Sequence, residues 1–235
     1  MKNVVRCPNC GTENPLYKLT CLKCKTYLRE RIYNLDLWKV IGLLIESPAK
    51  AFKLIILSEH KNFILLMIVL FSVKAFIDSR FLSIIYSGSS SLKLNLSYSI
   101  LLTVAAGIII IYVYSVIIFF VNKIAGLNTR IRDNNAVLSY SLLPYSFGIL
   151  ILFPIELIIF GQYLFSDNPS PFIIKPVVAF TLLGFEGLLI LWSIFLSVSG
   201  IYAVSKNIFY AVISGILFNF YLYCFLFLLS KILFT

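Results

Sequence analysis

The chain has little charge for its length and almost no histidine. Only 13% of its 235 residues are charged and 60% are hydrophobic, whereas an average soluble domain has about 25% charged residues. Its single histidine excludes a His-Glu-x-x-His metal site, and it leaves no credible catalytic triad. No glycine-rich phosphate loop follows a strand-like run. The composition therefore indicates an integral membrane protein, and we expect it not to be an enzyme.

The sequence also lacks a secretory signal at its start. The first thirty residues are polar, with no short apolar core before a small-residue cleavage site. We therefore expect this segment to stay in the cytoplasm, where thiols are reduced and metal sites are favoured over disulfides. The net charge of +10 would also suit nucleic-acid binding. Basic residues beside apolar stretches are more typical of the cytoplasmic side of a membrane protein, so nucleic acid is not an expected partner.

Four of the five cysteines form two Cys-x-x-Cys pairs: Cys7, Cys10, Cys21 and Cys24. Each pair can hold one ion from a tight turn, and two pairs complete a tetrahedron of sulfur ligands with no position left for a catalytic water. The spacing predicts a structural metal site that supplies folding energy to a small ribbon. Zinc is the expected ion, with rubredoxin-like iron as the main alternative and a redox dithiol pair as a weaker one. Such ribbons usually have Gly after the last cysteine, and Lys25 stands there instead. We therefore expect a less regular second turn.

Residues 31–62 form a connector in which we expect two short helices. Asp36 is the predicted N-cap of the first, and Ser47-Pro48 begins the second. Helical spacing places Trp38, Ile41, Leu44 and Ile45 on the apolar side of the first helix. Neither helix has the roughly 20 apolar residues needed to span a bilayer. We favour amphipathic helices in the cytoplasmic interface, and the alternative is that they pack on the transmembrane bundle.

Five apolar stretches follow, each long enough to cross a bilayer. They cover about residues 63–82, 96–121, 136–160, 176–205 and 208–234. If the cysteine-bearing segment is cytoplasmic, the inner segments hold fifteen lysines and arginines and the outer ones hold four. The predicted fold is an all-α, multi-pass membrane protein with the N-terminus in the cytoplasm and the C-terminus outside. Its parts are a zinc ribbon (1–30), an amphipathic connector (31–62) and a five-helix transmembrane domain (63–235).

Four charged residues lie inside these stretches, at least four positions from either end: Lys74, Asp78, Glu156 and Glu186. Charges in lipid are costly, so they pair with one another or line a pathway. Lys74 and Asp78 are four residues apart and share a helix face. At about 1.5 Å rise per residue, Lys74 and Glu186 lie at similar depths, so we expect Lys74 to pair with Glu186 or Glu156. We favour a structural pair that fixes helix register over a polar pathway for protons or a substrate.

The third stretch contains two prolines, Pro144 and Pro154. Each lacks the backbone N–H that an α-helix needs, so we expect kinks or local unwinding there. Broken helices line binding sites in transporters, but this one has no matching partner elsewhere in the sequence.

The order of several short motifs resembles the YIP family of Ypt/Rab-interacting membrane proteins, in its bacterial branch. The similarity covers about residues 40–234. It includes a Pro-started helix at Pro48, a Tyr-x-x-x-Pro-like signature at Tyr140 and Pro144, and a stretch from Trp192 to Gly200 before a short turn. The resemblance implies a multi-pass protein of the bacterial cytoplasmic membrane. Eukaryotic relatives shape membranes and act in vesicle trafficking, but their Asp-Leu-Tyr-Gly-Pro element is not evident here, so GTPase binding is not implied.

Three functional hypotheses follow. We favour a non-enzymatic scaffold or membrane-organising protein whose zinc ribbon docks in the cytosol; its partners would be the lipid bilayer, other proteins or further copies of the chain. The alternative is a transporter, channel or lipid-moving protein that uses Lys74, Glu156 and Glu186, which requires a wet cavity reaching a carboxylate. The third is a sensor whose ribbon responds to metal or oxidation, which requires exposed sulfurs.

Overall fold

The computed structural model describes residues 3–87, 92–166 and 168–234, and helices dominate this part of the chain. Strands β1 (Val4–Arg6) and β2 (Glu13–Pro15) pair antiparallel near the N-terminus. The helices are α1 (Leu37–Glu46), α2 (Pro48–Leu57), α3 (Ile64–Ser87), α4 (Leu96–Ile124), α5 (Ile131–Ser141), α6 (Leu143–Phe147), α7 (Phe153–Phe160), α8 (Pro171–Ile174), α9 (Pro176–Ser205) and α10 (Ile208–Phe234). Parts of the two predicted outer loops, residues 88–91 and 167, lie outside the described residues.

Four segments of the described chain are long and apolar enough to cross a membrane: Leu96–Ile124, Leu143–Phe165, Pro176–Ser205 and Ile208–Phe234. The last two have the bounds that the sequence predicted. Helix α3 has 24 residues, but every 18-residue stretch of it contains Lys74, Asp78 and Arg80. Because these three charged residues make it more polar than the four apolar segments, α3 is not one of them. The count of five spans therefore stays a prediction.

The predicted start of the third span, at residue 136, was wrong. Helix α5 ends at Ser141, and the apolar segment begins at Leu143. Pro144 explains the break because it has no N–H to donate to the Tyr140 carbonyl, four residues earlier, and its ring crowds that carbonyl. A π-helical turn, Gly148–Leu152, then directly precedes α7, in which Pro154 again lacks the donor. The predicted interruption at the two prolines is confirmed.

The chain folds into two compact units. The first unit consists of Met1–Ile64, Ile111–Ser141 and Phe195–Leu217. The second consists of Leu65–Ile110, Leu142–Ile194 and Phe218–Thr235. The three longest helices, α4, α9 and α10, contribute residues to each of them. The predicted domain boundaries near residues 30 and 62 stay predictions.

Helix α2 packs into the core of the first unit. Its apolar residues Ala51, Phe52, Ile55 and Ile56 are all buried. Gly200 of α9 makes this packing possible: a Cβ there would lie 2.6 Å from Val137 Cγ1 and 3.0 Å from Phe52 Cε1. Helix α2 therefore packs on the protein and does not lie in the membrane interface. Pro48 stands in its first turn as predicted, but the Ser47 side chain makes no capping hydrogen bond.

Helix α1 has the predicted cap but not the predicted apolar face. Asp36 Oδ1 accepts a hydrogen bond from the Lys39 backbone N–H at 3.0 Å. Leu44 is fully buried, whereas Trp38 is 79% exposed and Ile45 55% exposed. The expectation that these three share one side was wrong, because Leu44 lies over the buried Val40, four residues before it.

The interior of the second unit is rich in hydroxyl groups. Ser72, Ser79, Thr103 and Ser193 are fully buried. Three of these side chains donate to backbone carbonyls of their own helices: Ser72 to Ile68 at 2.7 Å, Ser79 to Phe76 at 2.7 Å and Thr103 to Ser99 at 2.8 Å. Their polar groups are thereby satisfied without water, as a site removed from solvent requires.

Candidate metal centre and buried charge clusters

The four predicted cysteine ligands converge on one point. The Sγ atoms of Cys7, Cys10, Cys21 and Cys24 all lie within 4.8 Å of one another. Cys7 Sγ is 3.4 Å from Cys24 Sγ, and Cys10 Sγ is 3.6 Å from Cys21 Sγ. A tetrahedron with Zn–S bonds of about 2.3 Å has sulfurs roughly 3.8 Å apart. The residues therefore fit a tetrahedral metal ion, and all four cysteines are free of disulfides.

Two matched turns hold these cysteines. In the first, the Cys7 N–H donates to Thr12 O at 3.0 Å and the Gly11 N–H to Cys7 O at 3.0 Å. In the second, the Cys21 N–H donates to Thr26 O at 2.9 Å and the Lys25 N–H to Cys21 O at 3.1 Å. The expectation of a less regular second turn was wrong, because Lys25 adopts φ of +59° where Gly11 has +70°.

Sequence reasoning missed Asn14, which lies behind the cysteines. It is fully buried. Its Nδ2 donates to Thr12 O at 2.8 Å and lies 3.5 Å from Cys21 Sγ, while its Oδ1 accepts from the Leu22 N–H at 2.9 Å. Asn14 therefore joins the first turn to the second and donates towards a sulfur. Nothing in the local sequence distinguishes Asn14 from the other asparagines of the chain.

A second missed feature has a clear sequence signal. Each cysteine pair is followed two residues later by threonine, giving Cys-x-x-Cys-x-Thr twice. The Cys24 Sγ lies 3.3 Å from Thr26 Oγ1, and the Cys10 Sγ lies 3.3 Å from Thr12 Oγ1. Hydrogen bonding from Thr26, by its side chain first and then its backbone N–H, lowers the pKa of Cys24 to about 6. Since the thiolate is the form that binds metal, Thr26 favours the ligand state of Cys24.

The ribbon is held in the first unit by a run of charged contacts. The Arg130 guanidinium lies 4.4 Å from the centre of the Tyr17 ring, and Arg29 Nη2 donates to Tyr17 O at 3.2 Å. Arg130 also forms two hydrogen bonds with the Asp133 carboxylate, at 2.7 and 3.1 Å. Asp133 in turn pairs with Lys61, at 3.2 Å from Nζ to Oδ1. The cysteine-bearing segment is thus linked through side chains to the residues before α3.

Lys61 is a buried lysine outside the spanning helices. Its Nζ donates to the carbonyls of Ile55 and Ile56 at the end of α2, the second at 2.8 Å. Desolvation by burial lowers the pKa of Lys61 to about 8, while the attraction of Asp133 opposes that change. Sequence reasoning missed this residue because it counted Lys61 only as a cytoplasmic positive charge.

The second unit brings together three of the four predicted membrane charges. Only 2% of the Lys74 side chain is exposed. Its Nζ lies 2.6 Å from Asp78 Oδ1 and 2.7 Å from Glu186 Oε1. The expected pairing of Lys74 with Glu186 is therefore present. Gly148 provides the space, since a Cβ there would lie 2.9 Å from Lys74 Cε. One ammonium thus pairs with two carboxylates in a desolvated place, where leaving either carboxylate unpaired would be costly.

Glu156 does not join this ion pair. It is 8% exposed, and within the described part of the chain it makes no hydrogen bond and no ion pair. The alternative pairing of Lys74 with Glu156 is therefore not what the structure contains.

The residues that carry the resemblance lie apart from the cysteines and have packing roles. Tyr140 is fully buried and donates its hydroxyl to Asn62 O. Pro144 follows the break at Leu142, and Trp192 stacks on Phe147 with ring centroids 5.6 Å apart. Gly200 has no side chain and so leaves room for the Phe52 ring.

Two small cavities lie in the first unit. Asn122, Asn134 and Val204 are among the residues of one, and Tyr17, Asp133 and Val204 among those of the other. Each has room for about one water molecule. Neither is lined by Lys74, Asp78, Glu156 or Glu186.

No known family model matches the chain, and neither a curated protein nor a solved structure matches it. The resemblance to the bacterial YIP branch therefore rests on the sequence motifs alone.

Proposed function

We propose that this chain is a non-enzymatic membrane scaffold that spans the bilayer five times and presents a structural zinc ribbon to the cytosol for docking. The observation that carries the proposal is the closed set of four cysteine sulfurs within 4.8 Å of one another. All four ligand positions come from the protein, so none is left for a catalytic water. Its expected role is to fold a short segment that has little core of its own.

The surface of the ribbon supports a docking role. Leu22, within the second cysteine turn, and Tyr27, just after it, are both exposed. Exposed aromatic and aliphatic side chains on a rigid, metal-folded element suit contact with a protein partner. The contact of Tyr17 with Arg130 would keep that surface at a fixed place in the first unit.

The charges of α3 support a fifth span rather than oppose it. Lys74 and Asp78 neutralise each other within the helix, and Glu186 adds a second partner to Lys74. Paired charges that face other helices are the arrangement found where charged residues are tolerated inside a bilayer. Arg80 lies over the Phe165 ring at 4.5 Å, and this cation–π contact is attractive.

Membership of the bacterial YIP branch is part of the same proposal. Its support is that Pro48, Tyr140, Pro144, Trp192 and Gly200 all stand at helix starts, breaks or close contacts. A shared fold would preserve such positions. The inner location of the N-terminus, the outer location of the C-terminus and the bacterial membrane follow from the charge bias and that resemblance.

Two measurements test the proposal together. Purified protein in liposomes is assayed for flux of protons, common ions and fluorescent lipids, with the wild type compared with Glu186→Gln. We expect no flux from a zinc-loaded sample. A photo-crosslinking amino acid at Leu22 or Tyr27 should then capture a defined protein in cells, and Cys7→Ser should abolish that capture. Flux that Glu186→Gln removes would contradict the scaffold function.

A second candidate function is transport, and one observation favours it. Glu156 is nine-tenths buried yet has no hydrogen bond or ion pair within the described residues. Such a carboxyl in a spanning helix is suited to carry a proton or meet a substrate. Glu156→Gln should abolish flux if transport is the function. Glu30→Gln, an exposed change in the ribbon, is the matched control.

A further inference from the structure

Helix α1 has two apolar faces, and only one of them is covered. Val40 and Leu44, four residues apart, are buried against the first unit. Trp38 and Ile45, seven residues apart and so on one line of the helix, are 79% and 55% exposed. Gly42 lies on the same side and has open space around it. A ten-residue helix thus presents a second apolar face that no part of the described chain covers.

A narrow polar strip separates the two faces. Lys39 and Glu46 are also seven residues apart and both are exposed. At about 100° per residue they lie roughly 100° from the line of Trp38 and Ile45. The helix is therefore divided into a side against the protein, an open apolar side and a polar edge. This division is that of a helix lying parallel to a bilayer surface with its polar edge in water.

The neighbouring helix provides charge instead of apolar surface. The apolar residues of α2 are buried, and its exposed positions include Lys50 and Lys53. The side chains of Lys39, Lys50 and Lys53 make no hydrogen bond or ion pair within the described part of the chain. Residues 1–62 contain eleven basic and five acidic residues, a net charge of +6. Free lysines beside an open apolar face are complementary to an anionic lipid surface.

We propose that the open face of α1 lies in the headgroup region of the bilayer, with Lys39, Lys50 and Lys53 at the phosphates of anionic lipids. Tryptophan prefers this region because its ring is apolar and its N–H finds a polar partner. Helix α2 is excluded from the role because its own apolar side is already buried. This inference rests on the proposed function, since it requires a membrane-embedded protein whose N-terminal part faces an anionic leaflet.

The chain offers a direct test because it has two tryptophans, Trp38 and Trp192. Trp192→Phe leaves Trp38 as the single fluorophore. The full-length, zinc-loaded variant is reconstituted in phosphatidylcholine vesicles with and without phosphatidylglycerol. Lipids that carry a quencher near the headgroup, or deep in the acyl chain, then report the depth of Trp38, and iodide reports its exposure to water.

We expect strong quenching by the shallow lipid label, weaker quenching by the deep label and little by iodide. Phosphatidylglycerol should strengthen the lipid quenching several-fold, and the triple variant Lys39→Gln, Lys50→Gln, Lys53→Gln should remove that dependence. Trp38→Phe, which leaves Trp192, is the control for a tryptophan in a spanning helix. It should show no effect of phosphatidylglycerol.

Two results would overturn the inference. Free quenching by iodide with no lipid quenching would place the face in water. If Trp38 is protected from every quencher, and only at a high protein-to-lipid ratio, a second copy of the chain covers the open face instead of lipid. Resistance of the protein to alkaline carbonate extraction is measured on the same vesicles. Failure there would contradict membrane insertion itself, whereas carbonate resistance with a water-exposed Trp38 would contradict only the placement of α1.

Discussion

Lys25 has the left-handed backbone conformation of Gly11, with φ of +59° against +70° at equivalent places in the two cysteine turns. A side chain in this region costs on the order of 1 kcal/mol relative to glycine. Lys25→Gly should therefore hold the metal at least as tightly as the wild type, measured by competition with a chelator. Gly11→Lys should release it more readily. Loss of metal from Lys25→Gly would contradict the equivalence of the two turns.

Asn14 should contribute to metal affinity without being a ligand. Asn14→Ala removes the donor 3.5 Å from Cys21 Sγ and the link to the Leu22 N–H. Loss of such an outer contact typically weakens metal binding about 10- to 100-fold. Metal content by elemental analysis should still be one ion per chain, with a lower affinity in chelator titration. Asn34→Ala, at an exposed position, is the control and should change neither.

Gly148 should not tolerate a side chain because Lys74 lies very close to it. A Cβ would lie 2.9 Å from Lys74 Cε and 3.4 Å from Leu189 Cδ1. Gly148→Ala should lower stability by about 1–3 kcal/mol, measured as the thermal midpoint in detergent. Gly187→Ala, where a Cβ meets nothing within 4 Å, should be neutral or slightly stabilising. Equal effects of the two changes would contradict the close approach.

The Lys74–Glu186 pair should behave as one energetic unit. Lys74→Met leaves two carboxylates without their cation and should cost about 3–5 kcal/mol. Adding Glu186→Gln should recover part of that loss, so a double-mutant cycle should give a coupling of about 1–3 kcal/mol. Lys93→Met, at an exposed position, is the control. A Lys74→Met protein that is as stable as the wild type would show that the pair does not hold the fold together.

Lys61 should give the protein a distinctive dependence on pH. Its pKa falls to about 8 in the folded chain, from an ordinary value of 10.5. Between those values the unfolded chain keeps a proton on Lys61 that the folded chain has lost, so stability should rise with pH across that window. The comparison is the unfolding midpoint of zinc-loaded wild type and Lys61→Met over the same range. The rise should be present only in the wild type, and parallel curves would contradict the lowered pKa.

Local sequence signals predicted the features that depend on few residues. The spacing of Cys7, Cys10, Cys21 and Cys24 was enough to bring four sulfurs together. Length and polar breaks gave the bounds of α9 and α10. Helical rise limited the expected partners of Lys74 to Glu186 and Glu156, and the structure contains the pair with Glu186.

The features that the sequence did not predict depend on contacts between residues far apart in the chain. Nothing local separates Leu44 from Ile45, yet one is buried and the other exposed, because the position of α2 decides which side of α1 is covered. Proline marked an interruption in the third span but not where its apolar segment begins. Lys61 and Asp133 are 72 positions apart in the sequence, so no local pattern predicts their pairing.

The π-helical turn at Gly148–Leu152 has a consequence for Glu156. A turn of this kind accommodates one residue more than an α-helical turn. Since each residue of an α-helix advances the direction of its side chain by about 100°, the extra residue sets the side of the segment on which Glu156 emerges. Deleting one of Ile149, Leu150 or Ile151 would replace the π turn by α-helical spacing and rotate the Glu156 carboxyl by about 100° around the helix axis. A single backbone hydrogen-bond shift could therefore reorient a buried acid without any change in the loops.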